Sequence, residues 1–251
     1  MTAMTPTAVP TAPTPAANRT PGLLRAAGWA SLVQGLLLFV PVVVLGGAIN
    51  WPASLGDPAS AMLPALAANE AAVRSGYIAY LLYSVLFGVT VALLLRLVEH
   101  ELSPAARRIA VGFAVASVVA RCLGIVRWLA PMPVLADAWA ATSDEGERYA
   151  LARVYDVVNA WGGTIGEALG VGLFAGLSLA VLAAGLLRSR AVPRALALGA
   201  VVAAAAVTLN AVELAGVELG PLVTVTVTVV QLWFIAVGIW LLRTARRPVA
   251  R

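Results

Sequence analysis

The chain has 251 residues, of which 61% are hydrophobic and 12% charged, and its mean hydropathy is +0.91. That leaves too little polar surface to cover a soluble globule, so a lipid bilayer must be the solvent for most of it. The formal net charge of +5 comes from arginines in short breaks between apolar runs; with no continuous basic face, nucleic acid is excluded as a partner.

Residues 1–21 are a Thr/Ala/Pro mixture with few large apolar side chains, which predicts a disordered tail. An apolar run over 26–49 follows. It is too long for a signal-peptide core of about 7 to 15 residues and reads as a first membrane helix, kinked at Pro41. Trp51, Pro52, Asp57, Pro58 and Pro64 mark 50–73 as an ordered or partly helical loop, and spans are predicted over 74–96 and 109–129. Between Pro131 and Arg153 the chain reads as polar, with Thr142 and Glu145 spaced as a capping box that would start a surface helix over 143–161. From Arg153 to Arg188 a single helix would run about 52 Å, against a hydrocarbon core of about 30 Å. It must project or bend, and Gly162-Gly163 is the expected hinge into a fourth span over 164–187. Spans over 195–214 and 222–242 complete the set, joined by a turn at 216–221 and followed by a basic tail over 244–251. Val and Thr alternate from Val223 to Val230 with the period of a strand, but an open strand would leave its backbone unpaired in lipid, so helix is expected.

The expected fold is therefore all-α, a bundle of six transmembrane helices spanning 22–243 with both termini on one side. Twelve of the 17 arginines fall on that side: Arg19, Arg25, Arg96, Arg107, Arg108, Arg188, Arg190, Arg194, Arg243, Arg246, Arg247 and Arg251. The opposite loops hold Arg74, Arg148 and Arg153, so the positive-inside rule makes the termini cytoplasmic. Trp29 and Trp240 at inner ends, with Trp51, Trp128 and Trp161 near outer ends, read as an aromatic belt.

Polar residues inside these spans are the candidates for function. Arg121 lies about 21 Å along the third helix from Arg107, and a lone charge at that depth needs a partner. Counted from their own arginines, Asn210 and Glu213 lie about 24 to 28 Å deep and Glu167 about 31 Å, so Glu167 or Glu213 is the expected ion-pair partner of Arg121. Two carboxylates for one deep arginine leave a spare acid able to bind a cation or donate a proton. Arg127, nearer the outer interface, is expected to reach water. Asp156, Asn159, Gly163 and Glu167 share a helix face, Tyr80 and Tyr83 belong to a tyrosine stripe, and Gln34 and Gln231 are placed to pair across the bundle. Gly162, Gly166, Gly170, Gly172 and Gly176 repeat a small-residue spacing that lets helices approach closely. Cys122 is the only cysteine and His100 the only histidine. There is no phosphate-binding glycine loop, HExxH or Gly-x-Ser-x-Gly, so no metal and no cofactor is expected.

The loop GDPASAMLPALAANEAAVRSGYIAYLLYSVLFGVTVALLLRLV and the later GLFAGLSLAVLAAGLLRSRAVPRALALG resemble the bacterial six-helix membrane proteins catalogued as domain of unknown function 4386. The resemblance covers Leu23 to about Leu242; its more specific pieces are Asn69-Glu70 with Arg74-Ser75-Gly76, and Leu187-Arg188-Ser189 with Pro193-Arg194. Where that family often has an aromatic or a histidine-glycine pair entering helix four, this chain has Asn159-Ala160-Trp161-Gly162. The resemblance implies a multi-pass protein of the bacterial plasma membrane and transfers no functional residue.

Three functions compete. The first is a protein that binds a small amphiphile or a partner membrane helix through an outward-facing polar cluster of Arg121, Arg127, Asn159, Glu167, Asn210 and Glu213, with Asp156, Tyr80 and Tyr83. A second is a small proton-coupled transporter. The third is an intramembrane enzyme, a terpene-type cyclase for example, with Glu167 or Glu213 as general acid on an apolar substrate. Oligomeric state stays open.

Overall fold

A computed structural model of the chain describes residues 20–189, 192–217, 219–220 and 222–246. Among these residues there is no strand, and six helices are long and apolar enough to cross a membrane. Most of the expected tails, 1–19 and 247–251, lies outside the described residues.

The first spanning helix is opened by Thr20, whose hydroxyl accepts from the Leu23 amide, and by Pro21 at the first helical position, where its missing N–H costs nothing. It divides into α1, Pro21–Leu37, and α2, Phe39–Ile49. The break at Leu37 and Leu38 lies one turn before Pro41, whose absent amide would have bonded the Leu37 carbonyl, and this accounts for the expected kink. After a 3₁₀ turn at Ala53–Gly56, α3 spans Ala59–Ala68 and α4, the second spanning helix, Glu70–Leu97. The third spanning helix, α5, runs Pro104–Leu129.

The stretch after Pro131, read above as polar, is instead the helix α6, Pro131–Ala141. Its apolar residues Met132, Leu135 and Ala136 are buried against α3 at the end of the bundle that carries the long loops. The next helix is capped by Asp144, whose carboxylate accepts from the Glu147 amide at 2.7 Å, and not by Thr142; Thr142 hydrogen-bonds the Glu147 carboxylate instead.

This fourth spanning helix has three parts: α7, Glu145–Gly163, a π-helical stretch Thr164–Phe174, and α8, Ala175–Arg188. The change of winding begins beside the Gly162-Gly163 pair expected to act as hinge. The fifth spanning helix is α9, Arg194–Leu209, tightened into a 3₁₀ turn at Asn210–Ala215; the sixth, α10, is Leu222–Ala245. In α10 the Thr228 and Thr244 hydroxyls bond the carbonyls of Thr224 and Trp240 one turn back, so the Val/Thr alternation is helical.

Two separate apolar cores hold the bundle. One, at the end where the first spanning helix begins and the sixth finishes, includes Phe87, Val91, Leu94, Leu182, Phe234 and Leu241. The other, at the loop end, includes Leu45, Leu63, Tyr77, Trp128, Met132 and Tyr155. Buried polar groups lie between them.

Helices one and six pack antiparallel at backbone distance: a Cβ at Gly238 would fall 2.7 Å from the Leu32 amide nitrogen, and one at Gly35 would fall 2.9 Å from the Gln231 carbonyl oxygen. This register puts Gly35 against helix six. The amide of Gln34 therefore finds no partner, and Gln231 Nε2 donates to the Tyr83 hydroxyl at 2.7 Å, in place of the expected Gln34–Gln231 pair.

Gly238→Ala should lower stability in detergent by about 1 to 3 kcal/mol, because only backbone atoms stand in its way. Gly47→Ala, with open space around its Cβ, should be neutral or stabilising by up to about 1 kcal/mol. Thermal unfolding of the two variants side by side checks both.

Candidate functional site

The polar layer is organised by the contact between α5 and the π-helical stretch. A Cβ at Gly124 would lie 2.7 Å from the Gly166 Cα, so the two backbones touch with no side chain between them. That contact fixes the antiparallel register. Gly162 lies under the side chain of Arg127, where a Cβ would collide with Cδ, and Gly170 lies level with Arg121. The Ser117 hydroxyl donates to the Gly170 carbonyl at 2.7 Å and locks the same alignment one turn further on. On their other face Gly172 and Gly176 receive the fifth helix at Ala211 and Thr208.

This register decides the ion pair. Glu167 Oε1 meets Arg127 Nη2 at 3.3 Å, and Arg127 also donates through Nη1 to the Gly124 carbonyl at 3.2 Å. Arg127 is only 4% exposed, so it does not reach into water as expected; its guanidinium carbon stands 5.2 Å from the ring centre of Trp128. Arg121, expected to hold Glu167 or Glu213, forms no ion pair among the described residues. It is level with Gly170, a turn away from Glu167, and its guanidinium lies over the rings of Phe87, at 4.5 Å, and Tyr83, at 5.8 Å. Its Nε and Nη1 are buried without a hydrogen-bond partner.

Two cavities meet at the Arg127–Glu167 pair. An open cleft of about 450 Å³ is lined by Asn159, Gly163, Glu167 and Glu213, with Leu55 and Arg127. Behind it lies a small chamber of about 20 Å³, room for about one water, lined by Trp51, Tyr77, Tyr80, Arg121, Arg127 and Glu167. Leu55, Arg127 and Glu167 border both spaces.

The lid over the chamber is the loop after α2. Asn159 Nδ2 donates to the Leu55 carbonyl at 2.8 Å and the Tyr155 hydroxyl to the Asp57 carbonyl at 3.1 Å, fastening the loop to α7. Trp51 meets Tyr80 edge-on at 5.5 Å, Tyr80 stacks on Tyr83 at 5.8 Å, and Tyr77 stacks on Trp128 at 5.3 Å.

Of the residues singled out in the sequence, Asn159, Glu167, Glu213, Arg121, Arg127 and Tyr80 line one cavity or the other, and Tyr83 supports Arg121. Asp156 does not join them; it is exposed and pairs with Arg153 at 3.4 Å. Asn210 is also elsewhere, accepting from the Thr226 hydroxyl at 2.8 Å and so tying the fifth helix to the sixth. Trp51 and Trp128, expected in the outer aromatic belt, line the chamber together with Tyr77, and Trp128 and Tyr77 are buried. Among the described residues no three of His, Cys, Asp and Glu are grouped to hold a metal ion.

Fold and site together define a multi-pass membrane protein, a six-helix bundle with a charged cleft near one end. The chain belongs to the family described as Domain of unknown function (DUF4386), whose sequence profile matches residues 16–244. Neither the curated proteins nor the solved structures contain a match to it.

Removing one partner of the Arg127–Glu167 pair leaves a buried guanidinium unpaired. Because the Glu167 carboxylate is itself 37% exposed and Arg127 keeps the Gly124 carbonyl, Glu167→Gln should cost about 1 to 2 kcal/mol of stability. The double change Arg127→Met with Glu167→Gln should recover most of it, the non-additivity being read from a double-mutant cycle of unfolding in detergent.

Proposed function

We propose that this protein binds a small amphiphile, taking it from the non-cytoplasmic side of the plasma membrane. The observation that carries this reading is a polar cleft bordered by exposed apolar side chains and backed, beyond Arg121, by a packed apolar core. The cleft places Glu167, Glu213 and Asn159 beside apolar surface: Trp161, Leu214 and Val217 nearby are each about half exposed, as suits residues facing lipid tails. Such a boundary suits a molecule with a polar head and an apolar tail. Past Arg121 the way is closed by Phe87 and Phe234, in edge contact at 6.3 Å, and by the buried Val91 and Leu94. Transport would require a route through that apolar half, which favours binding over carriage. The arginine distribution supports an arrangement with the cleft outside and both termini in the cytoplasm.

Gly163 offers a way to close the cleft without disturbing the bundle, since a Cβ there meets only Arg127 Nη2, at 3.7 Å. Gly163→Leu should unfold at an unchanged temperature yet lose the amphiphile that co-purifies with the parent protein in native mass spectrometry. Identical bound species in both proteins would reject the reading. Orientation has its own check: in a Cys122→Ala background, Glu145→Cys should react with an impermeant maleimide on intact cells and Arg246→Cys only after permeabilisation.

A further inference from the structure

The inner chamber has a composition that its own residues leave unbalanced. Four buried donors on the side chains lining it make no hydrogen bond: Arg121 Nε, Arg121 Nη1, Arg127 Nε and the Tyr77 hydroxyl. One carboxylate, Glu167, faces this set, and it is engaged by Arg127. Among the side chains that line the chamber, two guanidinium groups face one carboxylate; Glu213 stands in the adjoining cleft and forms no ion pair with Arg121 among the described residues, so Arg121 lacks a counter-charge in contact with it. Arg121 is 4% exposed and cannot draw water around itself at this depth. The faces of Phe87 and Tyr83 offset part of the cost of a desolvated cation, but they accept no hydrogen bond at Nε or Nη1 in the guanidinium plane. A single water would supply two acceptor lone pairs and no charge.

From these observations we infer that the chamber is the binding site for one monoanion, and that the amphiphile proposed above carries a carboxylate head which Arg121 receives. This rests on the amphiphile reading for the tail and on the chamber alone for the charge. A carboxylate offers about four lone-pair sites and one negative charge, which suit the unpaired N–H groups of Arg121 and its missing counter-charge. With room for about one water beside the Arg127–Glu167 pair, the chamber takes one carboxylate oxygen, and the rest of the head and the tail stand in the adjoining cleft, which shares Leu55, Arg127 and Glu167 with it. The same chemistry would accept a halide ion, so the source of the anion has to be separated by experiment. Arg121 is the charge partner of the head and Tyr77 a neutral donor beside it, its ring held by the stack on Trp128.

The test uses the full chain in nanodiscs of zwitterionic lipid in sodium sulfate buffer, free of halide and carboxylate, with decanoate, decanol and chloride as separate probes and binding read by thermal shift and tryptophan fluorescence. Decanoate should bind saturably and at least tenfold more tightly than decanol. Arg121→Met should abolish that preference. Tyr77→Phe, which keeps the ring and its stacking and so tests the site even if Arg121→Met fails to fold, should weaken decanoate by about tenfold and leave decanol unchanged. Decanol binding as tightly as decanoate would overturn the anion site while leaving the amphiphile reading intact. Chloride binding with the same dependence on Arg121 and Tyr77, without decanoate binding, would keep the anion site and overturn the amphiphile. Binding of none of the three would overturn both.

Discussion

The contact of Gly124 on Gly166 is where two helices meet backbone to backbone, and the rest of the polar layer takes its positions from it. In a bilayer, apolar side chains gain little by leaving lipid for a neighbouring helix. Close packing and hydrogen bonds must hold the helices together, and small residues permit both. The glycines at 162, 166 and 170 let the fourth helix settle on the third so closely that the stem of Arg127 lies across Gly162. A larger residue at either central glycine would push the helices apart and shift which carboxylate meets which guanidinium. The π-helical winding of Thr164–Phe174 coincides with this contact and carries Glu167. Such winding recurs at functional sites, where an altered turn re-aims a side chain.

Electrostatics then follows from register. Two arginines are drawn into a region of low dielectric, and each is treated differently: Arg127 has a carboxylate, a backbone carbonyl and an indole face, while Arg121 has ring faces. A charge that keeps its protonation state at any working pH cannot escape by becoming neutral, as a buried lysine or carboxylic acid would. The scaffold must therefore either provide an anion or leave room for one. The tight apolar core from Phe87 toward the arginine-rich end keeps that room confined to one side.

The six-helix architecture was legible because membrane helices announce themselves by length and hydropathy, and a break such as the one before Pro41 has a local cause. The kind of residues in the site was legible too, since charges in apolar runs stand out. Their pairing was not. Straight-helix depth counting gave Arg121 about 21 Å and Glu167 about 31 Å, and the same count puts Arg127 about 30 Å from Arg107. That near-equality pointed to the observed pair, but proximity to the predicted helix end made Arg127 look like an interface residue. The sequence showed no sign that α3, α6 and the loop before them would cover that end and bury it. For the same reason Tyr77 and Trp128, an interfacial pair by position, became walls of the chamber. Asn210 stands apart from both cavities because its amide oxygen accepts from Thr226, a residue read only for its place in the Val/Thr alternation.

The lid is fastened in a particular way. Asn159 and Tyr155 on α7 grip it by the backbone carbonyls of Leu55 and Asp57. Any amino acid other than one that distorts the backbone presents the same carbonyl. Trp51 and Leu55 also pack on the loop-end core, but a conservative apolar exchange at Leu55 keeps both hydrogen bonds while it alters the wall of the cleft and the chamber. Attachment and selectivity reside in different atoms of one short segment, so the pocket's preference can drift during evolution while the scaffold that presents it stays the same.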